Sequence, residues 1–274
     1  VVVGTRLLAA AVILGLCAAC TMSPQGEIAA ANQGDEDRIP GAMMAGAKNS
    51  MAKGDYASAA SLFRQAHLLR PDEIEPLLGL GRALSGAGAP QEAAEAYRAA
   101  LKIDPKNPEA MRGLANSLVA LNQPELAIPY YEDALALTPS DYRIYMGLGV
   151  AYDLMGQHKV AQAQYQLALV HEPDDLDVLS NLGLSQALAM DLPAAIETLR
   201  KVVEKPGATA RHRQNLALVY GLAGRNEEAA RIARLDLDEA TVRRNITYFA
   251  TLRSIKDPSR RLAAIRAYQE QHRF

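Results

Sequence analysis

Three stretches decide how this chain is read: RPDEIEPLLGLGRAL (70–84), DPKNPEAMRGLANSL (104–118) and TPSDYRIYMGLGVAY (138–152). Their prolines, Pro71, Pro105 and Pro139, are followed by Pro173, each 34 residues after the last. Working outward at that period gives six units, beginning at Pro40, Ile74, Pro108, Tyr142, Leu176 and Ala210. Their eighth residues are all small (Ala47, Gly81, Ala115, Gly149, Gly183, Ala217), and the twentieth is alanine throughout (Ala59, Ala93, Ala127, Ala161, Ala195, Ala229). The twenty-fourth is Phe63, Tyr97, Tyr131, Tyr165, Leu199 and Ala233. A fixed period of this length signals a stack of supersecondary units, each too small to bury its apolar face alone.

This pattern resembles the tetratricopeptide repeat, which implies an all-α solenoid of about six helix pairs. Small residues at positions eight and twenty predict close approach of two antiparallel helices. The ring at position twenty-four predicts a filler between neighbouring units. Gly54, Gly88, Gly156 and Gly224 fall at the turn between the paired helices of four units, where a left-handed helix end is needed. The aromatic usual at position four is replaced by Met43, Leu77, Met111 and Leu179, with only Tyr145 aromatic, and further departures fall towards the end. Unit five has Met190 at that turn and Gly207 in place of the closing proline, and unit six has Ala233 where a ring would stand, so irregular joins are expected there. Val242, Ile246, Phe249 and Leu252, and then Leu262, Ile265 and Tyr268, line helix faces after the repeats. They predict two helices over 244–274 that cap the repeat array of 40–243.

The first residues are of another kind. Arg6 precedes an apolar run from Leu7 to Ala19, the layout of a signal peptide over 1–19 and too short for a transmembrane span. Val1 stands where methionine would begin a chain, which leaves the translation start open. Cys20, preceded by Ala18 and Ala19, resembles the acylated cysteine of a bacterial lipobox, although Cys17 replaces the usual leucine three positions upstream. Removal of Cys17 with the signal would leave no thiol pair. Thr21 follows Cys20 in place of the aspartate typical of inner-membrane retention, so the resemblance implies a lipid anchor on the periplasmic face of the outer membrane. Residues 20–39, rich in Pro, Gly and polar groups, read as a flexible tether.

A net charge of −2 argues against a nucleic-acid partner that relies on a basic surface. The five histidines lie at no metal-ligand spacing, no serine occupies a nucleophile elbow, and GLGRALSGAG (79–88) lacks the lysine and hydroxyl ending of a phosphate loop. The chain reads as a non-enzyme with no cofactor and no metal.

What remains is the face that tetratricopeptide solenoids use for peptides, formed by positions two, five, nine, twelve and thirteen of each first helix. Projection there gives Lys48, Arg82, Arg112, Asn116, Arg143 and Arg211, bordered by Asn181 and Asn215 at position six, with Leu78, Met146, Val150, Leu184 and Leu218 between them. Arginines suit carboxylates, amides suit a peptide backbone, and aliphatic pockets suit apolar side chains. The segment from Gln214 to Arg253, with NLAL (215–218), GLAGR (221–225) and residues 245–253, resembles the TadD family of tight-adherence (Flp) pilus assembly proteins. That resemblance implies a pilotin-like assembly factor that binds an exposed segment of the pilus secretin or another pilus component. An adaptor for peptidoglycan enzymes or outer-membrane biogenesis is the alternative.

Overall fold

The computed structural model describes residues 39–271, so Cys20, the signal segment and most of the tether lie outside the described residues. All regular structure in it is helical. The helices are α1 (39–52), α2 (Tyr56–Leu69), α3 (Glu75–Gly86), α4 (Pro90–Ile103), α5 (Pro108–Ala120), α6 (Pro124–Leu137) and α7 (Tyr142–Leu154). They continue as α8 (His158–His171), α9 (Leu176–Leu188), α10 (Leu192–Glu204), α11 (Ala210–Leu222), α12 (Asn226–Ala233), α13 (Glu239–Ser254) and α14 (Pro258–Gln271).

Local chemistry sets the helix ends. Asp55, Asn107, Asp141, Asp175, Asp191 and Asp238 each cap a helix start, their side-chain oxygens accepting a backbone N–H of the first turn. Between the paired helices the chain turns through a left-handed residue, such as Gly88 at φ 73° and Gly156 at φ 75°. Met190 takes the same conformation at φ 65° without the freedom of glycine, as does Asn122 at φ 57°. The irregular ends expected from the sequence are visible: α10 stops at Glu204 before a left-handed Gly207, and α12 has only 8 residues.

The six pairs stack in order, each packing on the next. The ring at position twenty-four works as predicted and more. Tyr97 is wedged between Gly81 of its own pair and Gly113 of the next; ideal Cβ atoms there would come within 2.6 and 2.4 Å of the ring. Phe63 meets Gly79 of the following pair and Tyr131 meets Gly147 in the same way. The small eighth residue therefore makes room chiefly for a ring, not for helix backbone. Glycine at position six, which the sequence reading did not single out, receives the ring of the preceding pair. The alanines at position twenty are fully buried.

Odd-numbered helices from α3 to α11 approach their counterparts in the next pair more closely than even-numbered ones do, so the solenoid curves with the odd helices inside. After the pairs, α13 packs against both α11 and α12 and buries Phe249 and Leu252 completely. It begins at Glu239, so the division expected at 243/244 falls inside this helix. The cause is the shortened α12, which releases the chain early and lets Asp238 start a new helix. Of the two expected capping helices, α13 covers the last pair, and α14 lies against α13 and turns Ile265 towards Leu218 and Leu222 of that pair and towards Leu184 and Leu188 of the fifth, on the concave side.

Candidate functional site

The inner face is built from the first helix of each pair, which a 34-residue repeat places in register. Its amino-terminal half carries charge. Arg82 of α3 reaches Glu109 of α5 at 2.5 Å. Arg112, one turn further along α5, meets Asp141 at 3.3 Å, and Arg143 of α7 grips the same carboxylate through Nε and Nη2 at 2.7 and 3.1 Å. Burial alone would raise the Asp141 carboxyl, but the Arg143 hydrogen bond and the Arg112 charge outweigh it and hold the group below the ordinary carboxylate value. Further on, Arg211 of α11 pairs with Asp177 of α9, which His212 Nε2 also approaches at 3.3 Å.

The candidates drawn from the sequence are thus distributed along one face but differ in state. Arg82, Arg112 and Asn116 line one depression of about 220 Å³ together with Glu109 and the edge of Tyr97. Asn116 is exposed, and its Oδ1 accepts the Tyr131 hydroxyl at 2.6 Å. Lys48 is exposed on α1, Arg143 is exposed above Asp141, and Asn181 is half-buried on α9. Asn215 is buried and donates to Ser180 Oγ at 3.0 Å.

What sequence reasoning missed is the acidic half of the pattern. Glu109 and Asp177 occupy position two, within the projection already made, and Asp141 caps α7 immediately before it. Each arginine of the face therefore meets a carboxylate of the same chain. Exposed pairs of this kind contribute about 0–1 kcal/mol, so a ligand carboxylate can replace Glu109 on Arg82 at little cost. Glu109 meets the guanidinium through Nη1, and a carboxylate that engaged it two-pronged would bind more strongly. Arg112 and Asp141 are better shielded, with side chains 19% and 16% exposed, and form the fixed part of the row.

A second polar cluster lies at the joint of the fourth and fifth pairs. Asp153, at position twelve of α7, accepts hydrogen bonds from Tyr165 Oη at 3.0 Å and Ser185 Oγ at 2.8 Å, and faces His158 Nδ1 at 2.8 Å. A serine, a histidine and an acid thus lie together, but the serine hydroxyl faces the acid at 2.8 Å and the His158 backbone carbonyl at 3.3 Å, not the imidazole ring, and it is fully buried. The arrangement joins two repeats; it does not activate an oxygen. Among the described residues, no group of three or more His, Cys, Asp or Glu is placed to hold a metal ion.

Family descriptions of the tetratricopeptide repeat match at residues 84–128, 112–154 and 142–170. Residues 84–170 are tetratricopeptide repeats. The same helix-pair geometry extends the solenoid on both sides of that matched stretch. Among solved structures, that of MamA 41-end from Desulfovibrio magneticus RS-1 is 26% identical, covers 61% of this chain and 94% of its own, and has a TM-score of 0.54. PilW, described as a widely conserved type IV pilus biogenesis factor, is 22% identical over 77% of this chain and 94% of its own, with a TM-score of 0.64. PilF of Pseudomonas aeruginosa is 18% identical over 77% of this chain and 97% of its own, with a TM-score of 0.60. The likeness to PilW and PilF is one of fold. Among curated proteins, none matches this sequence. As repeat solenoids generally do, this one presents an extended concave surface suited to protein or peptide segments.

Proposed function

We propose that this protein is a binding scaffold that assists assembly of a tight-adherence (Flp) pilus, held at the periplasmic face of an outer membrane by lipid on Cys20. It acts by capturing an exposed segment of the secretin or of another pilus component, in the manner of a pilotin, without making or breaking bonds. The observation that carries the binding role is the concave row of Arg82, Arg112 and Arg143, paired with Glu109 and Asp141 and open to solvent at both Arg82 and Arg143. An extended segment with a carboxylate side chain can take the place of Glu109 on Arg82, with the Asn116 amide beside it to meet the peptide backbone. The pilus assignment is supported by the resemblance of residues 214–253 to the TadD family; PilW and PilF share the fold. The anchor is supported by the residues around Cys20.

Cross-linking in envelopes of the native host, followed by capture of this chain and mass spectrometry, tests the proposal. Recovery of the secretin or another pilus component, reduced in an Arg82→Glu/Arg112→Glu variant, is the expected result. Recovery of cell-wall enzymes without any pilus protein would replace it with the adaptor reading, and undiminished capture by the double variant would remove the arginine row from the site.

A further inference from the structure

Charge is unevenly placed along this chain. Residues 240–274 hold eight Lys and Arg against two Asp and Glu, a net charge of +6; since the whole chain has −2, the residues before them carry −8. The state of the arginines changes at the same point. From Arg64 to Arg234, all but Arg98 and Arg231 lie within ion-pair distance of a carboxylate. From Arg243 onward, none of the described arginine side chains does. Arg253 donates instead to Gly221 O and Asn226 Oδ1, and Arg261 to Ile255 O and towards Met190 Sδ.

Arg243 and Arg244 share one open depression of about 400 Å³ on α13 with Thr247, Tyr248 and Thr251. The carboxylates next to them in sequence are engaged elsewhere: Glu239 by Arg234, and Asp238 by the backbone N–H and hydroxyl of Thr241 at the start of α13. The hydroxyls of Thr247, Thr251 and Tyr248 donate to the carbonyls of Arg243, Thr247 and Ala264. The donors left to the depression are therefore two adjacent guanidiniums, of which Arg244 reaches only Thr241 Oγ1. Such a set selects a ligand that brings carboxylates. A solenoid end needs a polar outer face for solubility, but it does not need charge of one sign left uncompensated.

The complementary charge is in the same sequence. Asp35, Glu36 and Asp37 are consecutive and stand just before α1, outside the described residues. Asp35 is four residues from Ile39, where α1 begins, so the run extends at most about 14 Å from that helix. The depression on α13 lies six stacked pairs further on, and a single helix is already about 10 Å across. One chain therefore cannot join its own ends, but two copies can. We propose that the Arg243–Arg244 depression binds the Asp35–Asp37 segment of a second copy, so that the protein associates head to tail. The two surfaces differ and sit at opposite ends, so each added copy leaves one acidic and one basic end free, and the assembly is an open row. This goes beyond the pilus reading and depends neither on it nor on lipid at Cys20.

Sedimentation of the purified protein over a concentration series tests this. At about 20 mM salt, species larger than a dimer should grow with concentration, and at about 500 mM, where charges are screened within a few ångströms, association should weaken at least ten-fold. Arg243→Glu/Arg244→Glu should leave monomer, and so should Asp35→Lys/Glu36→Lys/Asp37→Lys. Both sets in one chain exchange the charges and should restore association. A monomeric wild type, a reversal without effect, or no rescue in the exchanged chain would overturn the proposal. Binding of anionic lipid vesicles by a wild type that stays monomeric, lost in the arginine variant, would also overturn it and give the depression to a membrane surface. Circular dichroism checks folding; should the arginine reversal unfold the chain, Arg243→Ala/Arg244→Ala gives the same direction with a smaller loss. Capture of a pilus protein is measured separately, so failure of either reading leaves the other standing.

Discussion

The Tyr97 ring lies so close to Gly113 that any Cβ at that position would come within 2.4 Å of it, and on its other side Gly81 leaves it no room to retreat. Replacing Gly113 by alanine therefore overpacks the joint between the second and third pairs, at a cost of about 2–3 kcal/mol. Gly88→Ala is the control, because its Cβ would meet nothing and only its left-handed backbone is strained, at about 1 kcal/mol. Urea unfolding of the two variants should rank them in that order; the reverse order would mean that the ring is free to move.

Asp153 is the common acceptor for Tyr165 and Ser185, both buried. Asp153→Ala removes the acceptor of the Tyr165 hydroxyl and the nearer of two for Ser185, which keeps the His158 carbonyl, and should cost about 2–3 kcal/mol, whereas Ser185→Ala should cost about 1 kcal/mol. A double-mutant cycle over Asp153 and Ser185 should return a coupling well above zero, since the two meet across the joint between the fourth and fifth pairs. Additive losses would show that the contact carries no energy.

Met190 holds a left-handed turn for which the corresponding positions of other pairs use glycine or asparagine. Its side chain is 54% exposed, so little packing offsets the strain. Met190→Gly should raise stability by about 0.5–1 kcal/mol, the left-handed penalty of a side chain less the extra backbone entropy of glycine. Thermal or urea midpoints measure this directly, and a lower midpoint would assign a stabilising role to the contact with Arg261.

Asp236 is held below the ordinary carboxylate value, first by hydrogen bonds from Arg213; Asp141 is held low too, as described above. A carboxyl lowered in the folded state gives its full stabilisation above the unfolded value, near pH 4, and loses it as pH falls through the lower folded value. Stability contributed by these two groups should thus be level from pH 7 to about 4 and decline below. In Asp236→Asn the acid-side decline should be shallower; an unchanged profile would place the acid sensitivity elsewhere.

Much of this was legible in advance. The period of 34, the alanines at position twenty and the rings at position twenty-four are demands of packing between adjacent units, and such demands recur in every unit. Gly113 and Gly147 could have been added, since a glycine inside a helix with no turn to make marks a close neighbour. The ion pairs were harder, because Glu109 and Asp177 read as ordinary solvated helix residues until the partner helix is in place. The path of α14 was legible only in part: its packing on the last pair was expected, its reach to Leu184 and Leu188 of the fifth was not. Its apolar face is set by helical spacing, but the surface it meets depends on the backbone angles of three link residues, which no periodicity constrains.

The cores of the first three and a half pairs, from Ala47 to Ala151, form one continuous cluster, while Ala187 to Tyr268 form another, with the Tyr165 group between them. A pull along the solenoid would thus meet two springs joined by a hinge. The hinge is the fourth-to-fifth joint, latched by Asp153 and flanked by the strained Met190 turn. If the amino-terminal end is fixed and the other end is loaded, every joint carries the same tension, and the one where the core is interrupted yields before the continuous, ring-packed repeats of the first pairs.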